Sequence, residues 1–400
     1  MDIDSICKLL LDALEEVGYK NSTIRNYRRL TERFKRFCKE HDSPNYTREI
    51  GKLYTDDVIS PKTGKFSPER RMLQGRFIRL INSYIDTGRF DFSVMKRGRL
   101  KPHDDYYLEI YNKYCSYLDE VYENINTRHY YDYGMYSFLS FLESRAQKIS
   151  IEEIKASDMF EYLKSLKKTR QREALCELKN ICRYLERNDL LAALAGIHAP
   201  RYNRIIPMLD PDEQDNLKKV TQDEATSLRD AAMIILGLST GIRACDIINL
   251  RLNDIDWDNE TISWKQSKTG NVVCIPLTRS IGNVLARYIT EQRPDAPNDY
   301  LFVRMIAPFD RLSCHSSCYM IVKRIFKKAG IENDCRISGM HMLRHNAAST
   351  MVRNSVPIET IAAILGHSDP DTTGIYITTD DEKLGECVLP FNGISREVNQ

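Results

Sequence analysis

Six residues able to do chemistry come in a fixed order in the carboxy-terminal half of the chain: Arg243, Lys268, His341, Arg344, His367 and, nine residues on, Tyr376. Two arginines, a lysine, two histidines and a late tyrosine are the parts needed to break a phosphodiester with a tyrosyl nucleophile. The phosphodiester is an anion, so its non-bridging oxygens need cationic donors as charge redistributes in the transition state. Arginine suits this role because its planar fork stays protonated and can bind two oxygens at once. Lysine can protonate a leaving oxygen, which a permanently charged arginine does poorly. Imidazole accepts or donates a proton near neutral pH.

Each fragment has a plain alternative. Thr240-Gly241-Ile242-Arg243-Ala244-Cys245-Asp246 puts Arg243 after a glycine break at a helix start, with Asp246 one turn later, spaced to hold the guanidinium. Alone, this is more often an ordinary Arg–Asp surface pair. His341-Met342-Leu343-Arg344 aims His341 and Arg344 at one point by i,i+3 spacing, yet an HxxR turn is common by chance. Lys268 opens a Lys-Thr-Gly-Asn turn, where most lysines are simply solvated. Leu365-Gly366-His367 ends a helix and sets His367 to donate to a phosphate oxygen. Tyr376, between Ile375 and Ile377, has the flanks of a core aromatic. The complete series in front of it makes it the nucleophile among 22 tyrosines.

These residues must be positioned by a domain that is mainly α with a small antiparallel β-sheet. A capping-box spacing at Thr221-Gln222-Asp223-Glu224 introduces an apolar helix, Ala231 to Leu238. Ile262-Ser263-Trp264-Lys265 and the β-branched run Val272-Val273-Cys274-Ile275 read as paired strands with Lys268 at or beside their turn. Helices are expected at about 278–292, 313–329, 341–354 and 357–365, the last ended by Gly366.

Upstream, residues 199–209 read as an extended linker in which Arg201 and Arg204 suit a strap across DNA. Residues 104–198 form a helical block rich in tyrosine, for core packing more than for base stacking. Residues 1–100 are helical and basic. One helix opens near Asn21, capped by Ser22 or Thr23, and continues through Phe37; a second runs from about Arg70 to Thr87. The polar face of the second carries Arg71, Arg76 and Arg79, either phosphate contacts or a solvated surface. The stretch Thr127 to Phe141 echoes Thr23 to Phe37, which hints at two related helical modules.

A chain of 400 residues accommodates two or three domains. No run of about 18 or more apolar residues marks a membrane span, and the acidic start Met1-Asp2-Ile3-Asp4 is unlike a secretory signal, so a cytoplasmic, nucleoid-associated protein of a bacterial or archaeal cell is expected. The 11 cysteines lie without a CxxC pair and read as free thiols, Cys314 and Cys318 as helix cysteines more than metal ligands. Net charge is only +2, but it is uneven: +7 over residues 1–100, −2 over 101–200 and −3 beyond. A basic amino-terminal segment can face phosphates even when the total is nearly neutral.

The ordered set resembles the tyrosine recombinases, the phage-integrase family. TGIRACDIINL, KTGNVVCIPL, HMLRHNAAS and LGHSDPDTTGIYI carry the likeness over residues 210–380. Asp246 stands where the family more often has glutamate, and Asn346 where threonine is frequent. The resemblance implies a core-binding domain at 104–198 and a catalytic domain at 210–380, clamped in a C shape on double-stranded DNA. It implies that Arg243, Lys268, His341, Arg344 and His367 assist Tyr376 in forming a 3′-phosphotyrosyl link, with no metal or nucleotide cofactor; the lack of a phosphate-binding glycine loop agrees. It also implies a homotetramer in the synaptic complex, with an accessory directionality factor as a further partner. The tail, 381–400, packs on a neighbouring protomer or on its own domain. The basic segment 1–100 favours an integrase of a phage or conjugative element. The rivals are a chromosome-dimer resolvase, a type IB topoisomerase, and a DNA-binding architectural protein on a recombinase scaffold.

Overall fold

The computed structural model describes residues 1–93, 100–145, 148–197, 208–313, 315–331 and 339–366. His367, Tyr376, Arg201, Arg204, Cys314 and the tail lie outside these residues. The chain divides into two compact units, Met1–Met95 with Ile205–Gln400, and Lys96–Arg204.

The first 93 residues form four helices, α1 (Ile3–Glu16), α2 (Asn21–Glu40), α3 (Arg48–Asp56) and α4 (Pro68–Thr87). Asp2, Thr47 and Ser67 cap α1, α3 and α4 through their side chains, and Pro68 begins α4 where no amide hydrogen is needed. The sequence expectation for α2 needs correcting. Its N-cap position is Lys20, without a side-chain bond, and Ser22 and Thr23 lie inside its first turn. Ile24, Tyr27, Leu30, Phe34 and Cys38 make its buried face. There Tyr54 of α3 meets Phe34 and Phe37 edge-on, with ring centroids 4.9 and 5.2 Å apart.

The second unit contains α5 (Asp105–Val121), α6 (Ile125–Glu143), α7 (Ala156–Ser165), α8 (Lys168–Tyr184) and α9 (Asn188–Ala195). Its first four helices repeat the plan of α1–α4. Phe138 and Phe141 of α6 meet Tyr162 of α7 at 5.2 and 5.4 Å, the counterparts of Phe34, Phe37 and Tyr54. The sequence echo thus corresponds to one aromatic packing arrangement built twice. Tyr107, Tyr111 and Tyr114 are core residues, as their spacing suggested. Each buried hydroxyl finds an acceptor: Ile149 O, the Asp132 carboxylate and Asn180 Oδ1.

From Asp210 onward the chain forms α10 (Pro211–Gln222), α11 (Leu228–Thr240), α12 (Ala244–Asn249), strands β1 (Ile255–Asp256), β2 (Thr261–Lys265) and β3 (Val272–Pro276), α13 (Arg279–Arg287), α14 (His315–Lys328), α15 (Met340–Arg353) and α16 (Ile358–Leu365). The capping box sits at Asp210 and Glu213, opening α10. The one expected at Thr221 does not form, because Thr221 and Gln222 close α10 and α11 starts only at Leu228. The sheet is antiparallel in the order β1-β2-β3, with Trp264 opposite Val273 and Ile262 opposite Ile275. Those four side chains are buried and alternate with outward ones, as a one-sided sheet requires. α11 runs through the core, and Gly237 lets α15 approach so closely that a Cβ there would lie 2.9 Å from Leu343 and Met340 side-chain atoms.

Candidate active site

Two helix ends meet at the centre of the site. α11 ends at Gly241 in the left-handed region (φ +64°), which brings the chain back to Arg243 at the start of α12. α16 ends the same way at Gly366 (φ +63°). Helix C-termini expose carbonyls without intrahelical partners and carry partial negative charge, so they attract cations. Arg344, only 5 % exposed, donates from Nη1 to Gly241 O at 2.8 Å and from Nη2 to Leu365 O at 3.0 Å. Arg243, half-buried, donates from Nη2 to Gly366 O at 3.4 Å and from Nη1 to Gln266 Oε1. The two arginines, distant in sequence, are therefore fixed on adjacent carbonyls. Neither glycine tolerates a side chain: a Cβ at Gly241 would lie 2.8 Å from Leu365 Cδ2, and one at Gly366 2.1 Å from Gln266 Nε2.

Gln266 is the member of the site that the sequence did not reveal. It is 2 % exposed and uses both ends of its amide. Oε1 accepts from Arg243 and from Thr269 Oγ1 (2.8 Å), while Nε2 donates to Leu365 O (2.9 Å). Its backbone closes the hairpin turn through bonds with Asn271 and Gly270. One residue thus joins Arg243, the end of α16 and the turn that carries Lys268. A glutamine before a Ser-Lys-Thr-Gly turn has no motif of its own, and only its burial distinguishes it.

Asp246 does not hold Arg243. Its Oδ1 accepts from the Ser267 amide at 2.7 Å, and Asn249 Nδ2 donates to Ser267 Oγ at 3.1 Å. The i,i+3 spacing suited a pair with Arg243, but a buried carboxylate is better served by a backbone N–H aimed at it, and Arg243 has Gln266 and a carbonyl instead. The role of Asp246 is to tie α12 to the turn Ser267–Thr269. Lys268 projects from that turn and is exposed.

His341 lies in the first turn of α15. Its residue surface is exposed, yet enough protein surrounds the ring that lost solvation is the largest cause of a lowered pKa, followed by the charges of Arg344, His315, Arg243 and Lys268. Lost solvation first, and then three cations, Arg344, Arg243 and Lys268, with the imidazole of His315 beside them, therefore favour its neutral form. His345, one turn further on, is pushed down to about 4, by burial first and then by His341 and Arg344.

The remaining site expectations fall elsewhere. Arg71 is exposed on α4. Arg76 is half-buried beside Tyr19 and Tyr27, whose phenols are raised by burial and partly lowered by its charge. Arg79 is occupied by Asp91, with Nη1 to the carboxylate at 3.0 Å and Nη2 to the carbonyls of Asp91 (3.2 Å) and Ser93 (2.8 Å). Arg201, Arg204, His367 and Tyr376 lie outside the described residues, His367 directly following Gly366 in the chain. Cys318 is buried in α14, and among the described residues no group of three His, Cys, Asp or Glu is arranged for a metal ion. No helix among them is long and apolar enough to cross a membrane.

Comparison with known proteins places these residues in context. The profile of the phage integrase family matches residues 207–383. Two Sinorhizobium fredii proteins that carry the name integrase/recombinase are similar to this chain. y4gC is 34 % identical over 166 residues, 42 % of this chain and 84 % of y4gC. y4rF is 32 % identical over 167 residues, again 42 % of this chain but only 39 % of the length of y4rF. Among solved structures, the XerH site-specific recombinase bound to palindromic difH in a post-cleavage complex shares the fold. It has a TM-score of 0.56 and 19 % identity, covering 72 % of this chain and 90 % of that one.

The close approach of Gly366 and Gln266 yields a stability prediction. Gly366→Ala should cost at least about 2 kcal/mol, from a left-handed backbone and from displacement of the Gln266 amide. Adding Gln266→Ala should return about 1 kcal/mol of that loss, because the displaced group is gone. Urea unfolding of the two single variants and the double variant measures the coupling; strictly additive losses would contradict the geometry.

Proposed function

The chain belongs to the phage integrase family, the tyrosine recombinases, and from that premise we propose that it is a site-specific recombinase that cuts and rejoins DNA through a covalent bond to Tyr376. The observation that carries the reading is the convergence of Arg243 and Arg344 on the carbonyls of Leu365 and Gly366, directly before His367. Two cations so fixed are spared the cost of reorganising as a phosphate develops charge.

In the proposed reaction the Tyr376 oxygen attacks the scissile phosphorus and its proton passes to His341. The neutral imidazole, favoured by burial and then by the surrounding cations, is suited to accept it. Arg243, Arg344 and His367 bear on the non-bridging oxygens. The bond to the 5′ oxygen breaks as Lys268 gives that oxygen a proton, leaving a 3′-phosphotyrosyl link and a free 5′-hydroxyl. A 5′-hydroxyl of the other duplex then reverses the step. One phosphoester replaces another throughout, so no bond energy has to be supplied from outside. Exchange between two duplexes needs four such sites, hence a homotetramer on double-stranded DNA, working in the cytoplasm.

The biological setting proposed is integration and excision of a phage or conjugative element, with an accessory factor setting direction. The additional module of α1–α4 favours this over a chromosome-dimer resolvase, because a second region able to bind DNA suits directional control. The residues that separate the reading from an architectural protein on a recombinase scaffold are Tyr376 and Lys268.

Cognate duplex for the tests is obtained by trapping covalent adducts on DNA flanking the coding sequence. On that duplex Tyr376→Phe should form no adduct on a denaturing gel while its DNA affinity stays unchanged; adducts at wild-type level would remove Tyr376 from the reaction. Lys268→Ala should cleave more slowly by roughly 10²-fold or more, and a 5′-bridging phosphorothiolate, whose thiolate leaves without a proton, should restore the rate. A defect of equal size on both substrates would remove Lys268 as the acid.

A further inference from the structure

We propose that Gln266 is a positioning residue for strand cleavage, a neutral acceptor that orients Arg243 without cancelling its charge and, through Thr269, holds the turn that presents Lys268. The inference rests on the recombinase reading and adds to that site a residue that acts through two others.

Its place in the fold is one that an apolar side chain would fill. Ile262 and Trp264 are the inward residues of β2, and Gln266 follows at the next position of the same alternation, 2 % exposed. Burying an amide there costs free energy unless its polar atoms are bonded, and both ends of this one are. Oε1 takes Arg243 and Thr269, and Nε2 donates to Leu365 O. These partners fix the orientation, since a reversed amide would face its NH2 to the guanidinium and its oxygen to a carbonyl. Gly366 closes the seat: a Cβ there would lie 2.1 to 2.3 Å from Nε2, Cδ and Oε1.

The neutrality of the acceptor has its own consequence. A carboxylate beside Arg243 would hold the guanidinium more strongly, but it would also offset the charge that a phosphate needs. Among the described residues Arg243 donates to Gln266 Oε1 and Gly366 O, both uncharged, while Asp246 turns its Oδ1 to the Ser267 amide. A glutamine thus sets the direction of the cation and leaves its charge for an anion. The same oxygen accepts from Thr269, the residue after Lys268, and the Gln266 backbone accepts from Gly270 and donates to Asn271. In the proposed reaction Arg243 bears on the phosphate and Lys268 gives up the proton, so loss of one amide displaces both. A misplacement of about 1 Å can cost about 10²-fold in rate.

The test uses the full chain on cognate duplexes with oxygen or sulfur at the scissile 5′ bridge. Adduct formation is followed in a single turnover at saturating protein, and affinity by anisotropy. Gln266→Met keeps the buried volume and removes both polar ends. It should cleave the oxygen duplex about 10²-fold more slowly, with affinity within about twofold of wild type. The sulfur duplex, which needs no acid, should restore part of that loss, the remainder belonging to a misplaced Arg243. Thr269→Val alters only the turn, outside the core, so its smaller loss, about tenfold, should vanish on sulfur. Gln266→Glu keeps the acceptor but offsets the charge of Arg243, and its loss of about 10²-fold should persist on sulfur. A wild-type rate for Gln266→Met, a loss confined to affinity, or restoration by sulfur that is complete or absent would overturn the proposal. So would a Thr269→Val defect equal on both duplexes, or Gln266→Glu as fast as wild type. Failure of the recombinase reading is distinguishable, since wild-type protein would then form no adduct on either duplex.

Discussion

Everything in the site depends on two backbone carbonyls at the end of α16. Leu365 O receives Arg344 and Gln266, and Gly366 O receives Arg243. An arginine in solution must be oriented before it can stabilise anything. Here the orientation is set by the fold, because a helix C-terminus offers unpaired carbonyls and partial negative charge where the guanidinium groups arrive. Gly241 makes the arrangement possible from the other side, turning the chain in the left-handed region so that its own carbonyl completes the seat of Arg344.

Gln266 extends the same constraint to the hairpin. Through one buried amide it links Arg243 to the turn of Lys268, while Asp246 holds that turn from α12. The cations facing the site are consequently not independent. A disturbance at Gly366 reaches Arg243 directly and the hairpin through Gln266, so substitutions in this group are expected to couple instead of adding. Burial, and after it the same crowding of positive charge, keeps His341 poor at holding a proton of its own.

What could be read from the sequence follows from the range of each interaction. The glycine breaks, the paired strands about Lys268 and the helices bearing Arg243 and Arg344 are local patterns, and they appear close to where spacing puts them. The echo between Thr23–Phe37 and Thr127–Phe141 was faint as letters, yet it preserved the aromatic residues that make one packing motif twice. Partner choice was not legible. Asp246 has a good spacing for Arg243, but its carboxylate goes to the amide of Ser267, twenty-one residues on. Arg79 belongs to an arginine-rich face by periodicity, but Asp91 and two carbonyls occupy it. Gln266 carries no signal except its burial. Each of these three concerns a contact between segments apart in the chain, for which spacing along one element holds no information, whereas the caps expected at Ser22 and Thr221 failed locally, by misplaced helix ends.

The account makes the arginine seat a device for one nucleophile, and the identity of the residue that becomes bonded to DNA tests it most directly. Wild-type protein trapped on its cleavage site, digested with protease and nuclease, can be read by tandem mass spectrometry. The account predicts a nucleotide remnant on Tyr376, attached through a 3′-phosphate. A remnant on any other residue, or a 5′-phosphate attachment, would contradict it.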